Sequence, residues 1–264
     1  MGLEMQLLRF KAFYFAGLLS LWSWCHQVIA IEPSAMTDQE KACVVQRLTQ
    51  YGFTPDQIAK IDFRKEEGFG WAAGISKILV GEDAVRPRWF SFLRGYKFDY
   101  RETFGLLHEM GHVQLNHVKK LGMLKVAAVG SGALLWASKK RWPFKWTSFA
   151  TTWFGISRYQ SYKFESEADD FALKRILQYP SLQNYIVLHS ARSKFLDHSL
   201  ACKEMQSELG LEVRNFRDRL TWHALVDEHP LSEDRAAKIE LAARQMGDAL
   251  PELWKKQLGN WTKW

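Results

Sequence analysis

Cysteine is scarce in this chain: three among 264 residues. Cys25 falls in an N-terminal apolar segment, so the rest holds only Cys43 and Cys202, enough for one bridge but not for a disulfide framework. That bridge needs an oxidising compartment and a proximity that sequence separation does not report. Long apolar runs are also missing. The stretches at residues 12–25, 126–137 and 147–156 all fall short of the roughly 20 residues that cross a bilayer as a helix. There is no internal repeat, which excludes a solenoid, and no low-complexity linker divides the chain. Acidic residues are in deficit, 29 Asp and Glu against 36 Lys and Arg, for a formal charge of +7. No nucleic-acid-binding module accompanies that charge, which argues against nucleic acid as a partner. Lys119, Lys120, Lys139, Lys140, Arg141 and Lys145 flank apolar runs, a pattern suited to anionic lipid headgroups or to a plain solvated surface.

What is present is enough for a sizeable core. Hydrophobic residues make up 47% of the chain, which suits one domain or one domain with a small addition. Twelve tryptophans suit either a Trp-rich core or a belt at a membrane interface. Arg9 and Lys11 precede the apolar core at residues 12–25, and Val28, Ile29 and Ala30 end it with a small residue. Residues 1–30 therefore read as a secretory signal, cleaved in preference to kept as an anchor, and the expected location is exported or membrane-associated. Residues 31–264 remain as the working domain. Thr37, with Glu40 three positions on, opens an amphipathic helix in capping-box fashion, and Thr54 opens another. Residues 71–85 alternate through Ile75, Lys77, Leu79 and Gly81, which predicts an extended segment. Residues 103–120 and 164–177 read as helices, the second with Phe164, Ala168, Phe171, Ala172 and Leu173 on one side, and several more follow from Leu182.

The sharpest chemical signal is HEMGH at residues 108–112. Residues four apart on a helix share a face, so His108 and His112 can aim both imidazoles at one metal ion. Glu109, about 100° round the helix, can reach a water on that ion and take its proton. A match of this kind also arises by chance in a chain with eight histidines. A catalytic zinc needs a third protein ligand. Leu115 and Val118 occupy the positions where a metzincin has Gly and His. His117 points to a different side of a continuous helix and is not assigned to the metal. Downstream, ESEADDFA at residues 165–172 places Glu165 and Asp169 four apart. Alone, this reads as a solvated acidic face, with Glu167 and Asp170 as part of it. Beside His108 and His112, Glu165 reads as the third ligand, and Asp169 as acceptor for the free N–H of a ligating imidazole.

Three stretches in order, HEMGH, then Glu165-Ser166-Glu167-Ala168-Asp169, then HPLSEDR at residues 229–235, resemble the HtpX-like and CAAX-prenyl-protease-like zinc metalloproteases, a gluzincin group. The resemblance spans residues 70–237 and includes the His that members often carry five positions after the second ligand. It implies a mainly α fold with a small β-sheet, an α+β zincin-type domain with a helical hairpin insertion. It implies one Zn²⁺ per chain held by His108, His112 and Glu165, with Glu109 as general base and His229 stabilising the oxyanion. Asp169 and Arg235 would support the site from behind. The extended piece would be the edge strand beside the cleft, although Ala72-Ala73 stands where many members have Asn-Ala.

In membrane members of the family, the interval between the two metal motifs holds a transmembrane hairpin. Here residues 122–156 are expected to touch the membrane peripherally or shallowly rather than to span it, with Trp136, Trp142, Trp146 and Trp153 as interface anchors. Expected partners are polypeptides, unfolded or membrane-borne, and a membrane surface. The expected function is a zinc endopeptidase in envelope or membrane protein quality control. The alternative is a non-catalytic zinc-binding adaptor or scaffold at a membrane surface.

Overall fold

The computed structural model describes residues 34–66, 72–87, 96–137, 145–208 and 232–261. The signal expected at residues 1–30 and His229, expected from the resemblance to stabilise the oxyanion, lie outside them, as do the side chains of Cys202 and of Trp136, Trp142 and Trp146. In chain order the elements are β1 (Ser34–Ala35), α1 (Asp38–Gln50), α2 (Pro55–Ala59), β2 (Asp62–Glu66), β3 (Ala72–Ala73), β4 (Lys77–Gly81), β5 (Val85–Pro87), β6 (Tyr96–Phe98), α3 (Thr103–Gln114), α4 (His117–Ala137), α5 (Lys145–Leu177), α6 (Leu182–Glu208) and α7 (Ser232–Trp261). The fold is mainly α with small sheets, as the sequence predicts.

Both threonine caps form. The Thr37 hydroxyl accepts from the Glu40 N–H at 3.3 Å, and the Glu40 carboxylate accepts from the Thr37 N–H at 2.9 Å. Thr54 and Gln57 make the same reciprocal pair at the start of α2. Glu40 also accepts from Lys65 of β2 at 3.2 Å, which ties the first helix to the sheet.

The extended segment expected at residues 71–85 is divided: β3, a turn and β4 cover residues 72–81, a 3₁₀ helix follows at Glu82–Ala84, and Val85 opens β5. β3 pairs antiparallel with β4, Ala73 opposite Ile78, and β4 pairs parallel with β2, Phe63 opposite Ile78. The turn leaves Ile75 67% exposed, and the buried face is Ile78 and Val80 rather than the odd-numbered positions. The reversal at residues 74–76 changes which face the alternation presents. β3 is the edge of its sheet.

The helix expected at residues 103–120 is also divided. α3 ends at Gln114, and Asn116 adopts φ 57°, the left-handed conformation that terminates helices and that Asn tolerates better than most residues. α4 starts at His117. The helix predicted at 164–177 is the end of a longer one that begins at Lys145.

Among the described elements α3 is a hub of the core. It packs against α5, α6 and strands β3 and β4. Its Phe104, Leu106, Leu107 and Met110 join one buried cluster with Phe63, Ile78 and Val80 of the sheet, Ala172 and Ile176 of α5, and Leu188 of α6. Each of the larger side chains contributes roughly 1.5–3 kcal/mol by leaving water. The contact between α3 and α5 is closest at Gly111, where a Cβ would lie 3.1 Å from Ala168 Cα and 3.3 Å from its carbonyl oxygen. Backbone cannot yield as a flexible side chain does. Gly111→Ala is therefore expected to destabilise the fold by ~1–3 kcal/mol through overpacking, although alanine is the better helix former. Urea unfolding of the two proteins checks this, and an unchanged or raised midpoint contradicts it.

Candidate metal centre

The α3–α5 contact determines which side chains meet. On α3, His108 and His112 bring their Nε2 atoms to 3.1 Å of each other. From α5, Glu165 reaches both, with Oε2 3.1 Å from His108 Nε2 and Oε1 3.3 Å from His112 Nε2. These three residues form the one candidate metal-binding group among the described residues. Their side chains are 7%, 11% and 15% exposed, so water screens the cluster poorly. Bare imidazole nitrogens and carboxylate oxygens all accept hydrogen bonds, and converging acceptors repel unless a proton or cation lies between them. The spacing fits zinc. Bonds of 2.0–2.1 Å in tetrahedral geometry put neighbouring ligand atoms about 3.3 Å apart.

His108 is oriented from behind. Its Nδ1 lies 2.8 Å from Asp169 Oδ1, one turn beyond Glu165 on α5. Asp169 is itself gripped by Arg235 of α7, whose Nε donates to Oδ2 and Nη2 to Oδ1, both at 2.7 Å. The Arg235 guanidinium sits 4.1 Å above the Phe195 ring of α6. Nδ1 of His108 thus keeps its proton for Asp169, which leaves Nε2 as the nitrogen that would turn a lone pair to a metal once its own proton is given up. Burial alone would lower the His108 pKa, but hydrogen bonds to Asp169 and Glu165 and the charges of Asp169 and Glu109 raise it to about 9. A metal ion arriving at Nε2 consequently displaces a proton. Burial also pushes the Asp169 carboxyl upward, yet His108 and Arg235 outweigh it and hold the group below its ordinary value.

Of the predicted site residues, His108, His112, Glu165, Asp169 and Arg235 come together from three helices that are far apart in sequence. Glu109 is buried on α3 beside the first histidine, 7% exposed. His117 corrects the sequence reading. A continuous helix would carry it away from His112, but the break at Asn116 turns it back, and its Nδ1 lies 3.2 Å from His112 Nδ1. The usable signal was Asn116, an acceptable left-handed terminator directly before the histidine.

Two imidazoles and a carboxylate around one point, with a glutamate next to the first imidazole, define a gluzincin-type metallopeptidase centre. The model of peptidase family M48 matches residues 103–243, more than half of the chain, and the chain belongs to that family. It is a metallopeptidase, a hydrolase of peptide bonds. No curated protein and no solved structure matches it.

The Asp169–Arg235 pair is buried, with side chains 4% and 9% exposed. Removing one partner strands the other, so Arg235→Ala is expected to cost ~3–5 kcal/mol of stability. The pH dependence has a definite sign. Asp169 has a depressed pKa in the fold, so its contribution is full above the ordinary value of 3.8 and is lost as pH falls through the lower folded value. Denaturant titrations of both proteins at neutral and acid pH test this. Arg235→Ala should lose stability at neutral pH and show a weaker acid dependence than the wild type, whereas parallel pH curves would contradict the assignment.

Proposed function

We propose that the metal is zinc, one ion per chain, held by His108, His112 and Glu165, and that the protein is an endopeptidase with Glu109 as general base. The observation that carries this is the convergence of those three donors beside a buried Glu109, within the M48 match. When bound, zinc supplies Lewis acidity that lowers the pKa of a water it holds to about 7. Glu109, buried beside His108, would be the residue that accepts the proton of the attacking water and returns it to the leaving amine. Asp169 and Arg235 keep His108 in the tautomer that leaves Nε2 bare. By resemblance, His229 stabilises the oxyanion. β3, an edge strand packed against α3, suits a substrate that binds extended and adds itself as a strand.

The α4–α5 hairpin supports a place of action at a membrane surface. Gly132 of α4 lies against the Phe149 ring of α5. Along the two helices Met123, Val126, Val129, Leu134, Phe154 and Tyr159 are 48–75% exposed. Among the described residues no helix is long and apolar enough to cross a membrane. Exposed apolar side chains with Lys119, Lys120 and Lys125 nearby on α4 suit the surface of an anionic bilayer. The function we assign is removal of unfolded or membrane polypeptides at an envelope membrane, in an exported location.

Glu109→Gln should retain about one zinc per chain and lose casein cleavage by a factor of 10² or more. Cleavage at wild-type rate by this variant contradicts the assignment of the base. For the membrane, cosedimentation with phosphatidylserine-containing vesicles should exceed that with neutral vesicles. Val126→Glu with Val129→Glu, at exposed positions, should lower it without changing the fold. Equal recovery of wild type and variant contradicts the membrane reading.

A further inference from the structure

His112 has a support that none of the three motifs assigns to it. Its Nε2 faces the ligand cluster, while its Nδ1 faces Nδ1 of His117 at 3.2 Å. His117 is 2% exposed. Its ring lies flat on Phe164 of α5, centroids 4.5 Å apart and planes within 12°. Its Nε2 is 3.0 Å from Glu167 Oε2. Proton accounting assigns every role in this chain. If His112 binds a metal through a bare Nε2, its proton sits on Nδ1. That N–H donates to His117 Nδ1, which must then be bare. The His117 proton is left on Nε2, where the Glu167 carboxylate accepts it. With both imidazoles neutral and Glu167 ionised, this is the one distribution that gives each contact one donor and one acceptor while leaving His112 Nε2 open.

We infer that Glu167 and His117 are a positioning arm that sets the ring orientation and tautomer of the metal ligand His112, as Asp169 and Arg235 do for His108. The inference rests on the metal-centre reading above. His117 does not ligate, since it meets the far nitrogen of His112. The arm is assembled by the break at Asn116, which places His117 under His112, and by α5, which supplies both Phe164 and Glu167. The same α5 turn that gives the third ligand, Glu165, thus also gives the anchor of the second ligand's support.

Outer hydrogen bonds of this kind change metal affinity by about 10–100-fold. The test uses the purified full chain, His117→Phe, His117→Gln, Glu167→Gln, and the double variant His117→Phe with Glu167→Gln. Zinc affinity is measured by chelator competition, and the visible spectrum is recorded with cobalt(II) in place of zinc. His117→Phe should weaken zinc about 10–100-fold and shift the cobalt bands. His117→Gln, which can still accept and donate, should recover part of both. Glu167→Gln should weaken zinc in the wild type and add nothing in the His117→Phe background, because it acts only through His117. If His117→Phe does not fold, Glu167→Gln at its half-buried position and His117→Gln decide the matter. A wild type that holds one zinc while these variants leave affinity and spectrum unchanged overturns the arm alone. A wild type that holds no metal overturns the centre itself.

Discussion

The missing side chain at Gly111 governs this molecule. Its absence lets α3 come within van der Waals contact of the α5 backbone at Ala168. His108 and His112 lie on either side of Gly111, and Glu165 and Asp169 lie on either side of Ala168. The closeness of one backbone to the other therefore sets the 3.1–3.3 Å spacing of the donor atoms. A glycine in mid-helix costs about 1 kcal/mol in propensity. That cost is offset by the burial of Leu106, Leu107, Met110, Ala172 and Ile176 around the same contact. Packing and chemistry are one constraint here, because the contact that closes the core also closes the site.

Electrostatics follow from that enclosure. Glu165 at the cluster, Asp169 behind His108 and the buried Glu109 bring three carboxylates into one poorly solvated region, and buried charge must be compensated. Arg235 compensates Asp169 through two 2.7 Å hydrogen bonds, and does so from α7, the last described helix. Its guanidinium rests on Phe195, so α6 and α7 are held to the site by a stacking contact as well as by their own packing. The chain Phe195–Arg235–Asp169–His108 links four helices and ends on a nitrogen whose lone pair has one direction to point. A cation bound at that point would complete the charge balance.

Much of this was legible in the sequence, for identifiable reasons. The spacing of His108 with His112, and of Glu165 with Asp169, encodes a shared helix face, and a helix translates spacing into geometry almost without tertiary help. The threonine caps are equally local, and both formed. What could not be read was where elements stop. Nothing in the apolar pattern marked the turn that puts Ile78 and Val80 on the buried face, because alternation is the same on either side of a reversal. The helix through residue 120 failed on one backbone conformation, at Asn116, and that single φ decided whether His117 was a surface residue or a neighbour of His112. Arg235 was reachable only through the resemblance, since its partner lies 66 residues away and no local pattern joins them.

The central claim is that two imidazoles and one carboxylate bind a single zinc. X-ray absorption at the zinc edge of the purified chain tests it most directly. The account predicts one zinc per chain, nitrogen and oxygen neighbours at about 2.0–2.2 Å, and outer-shell scattering from two imidazole rings. Sulfur at about 2.3 Å, a single imidazole, or no bound zinc would contradict it.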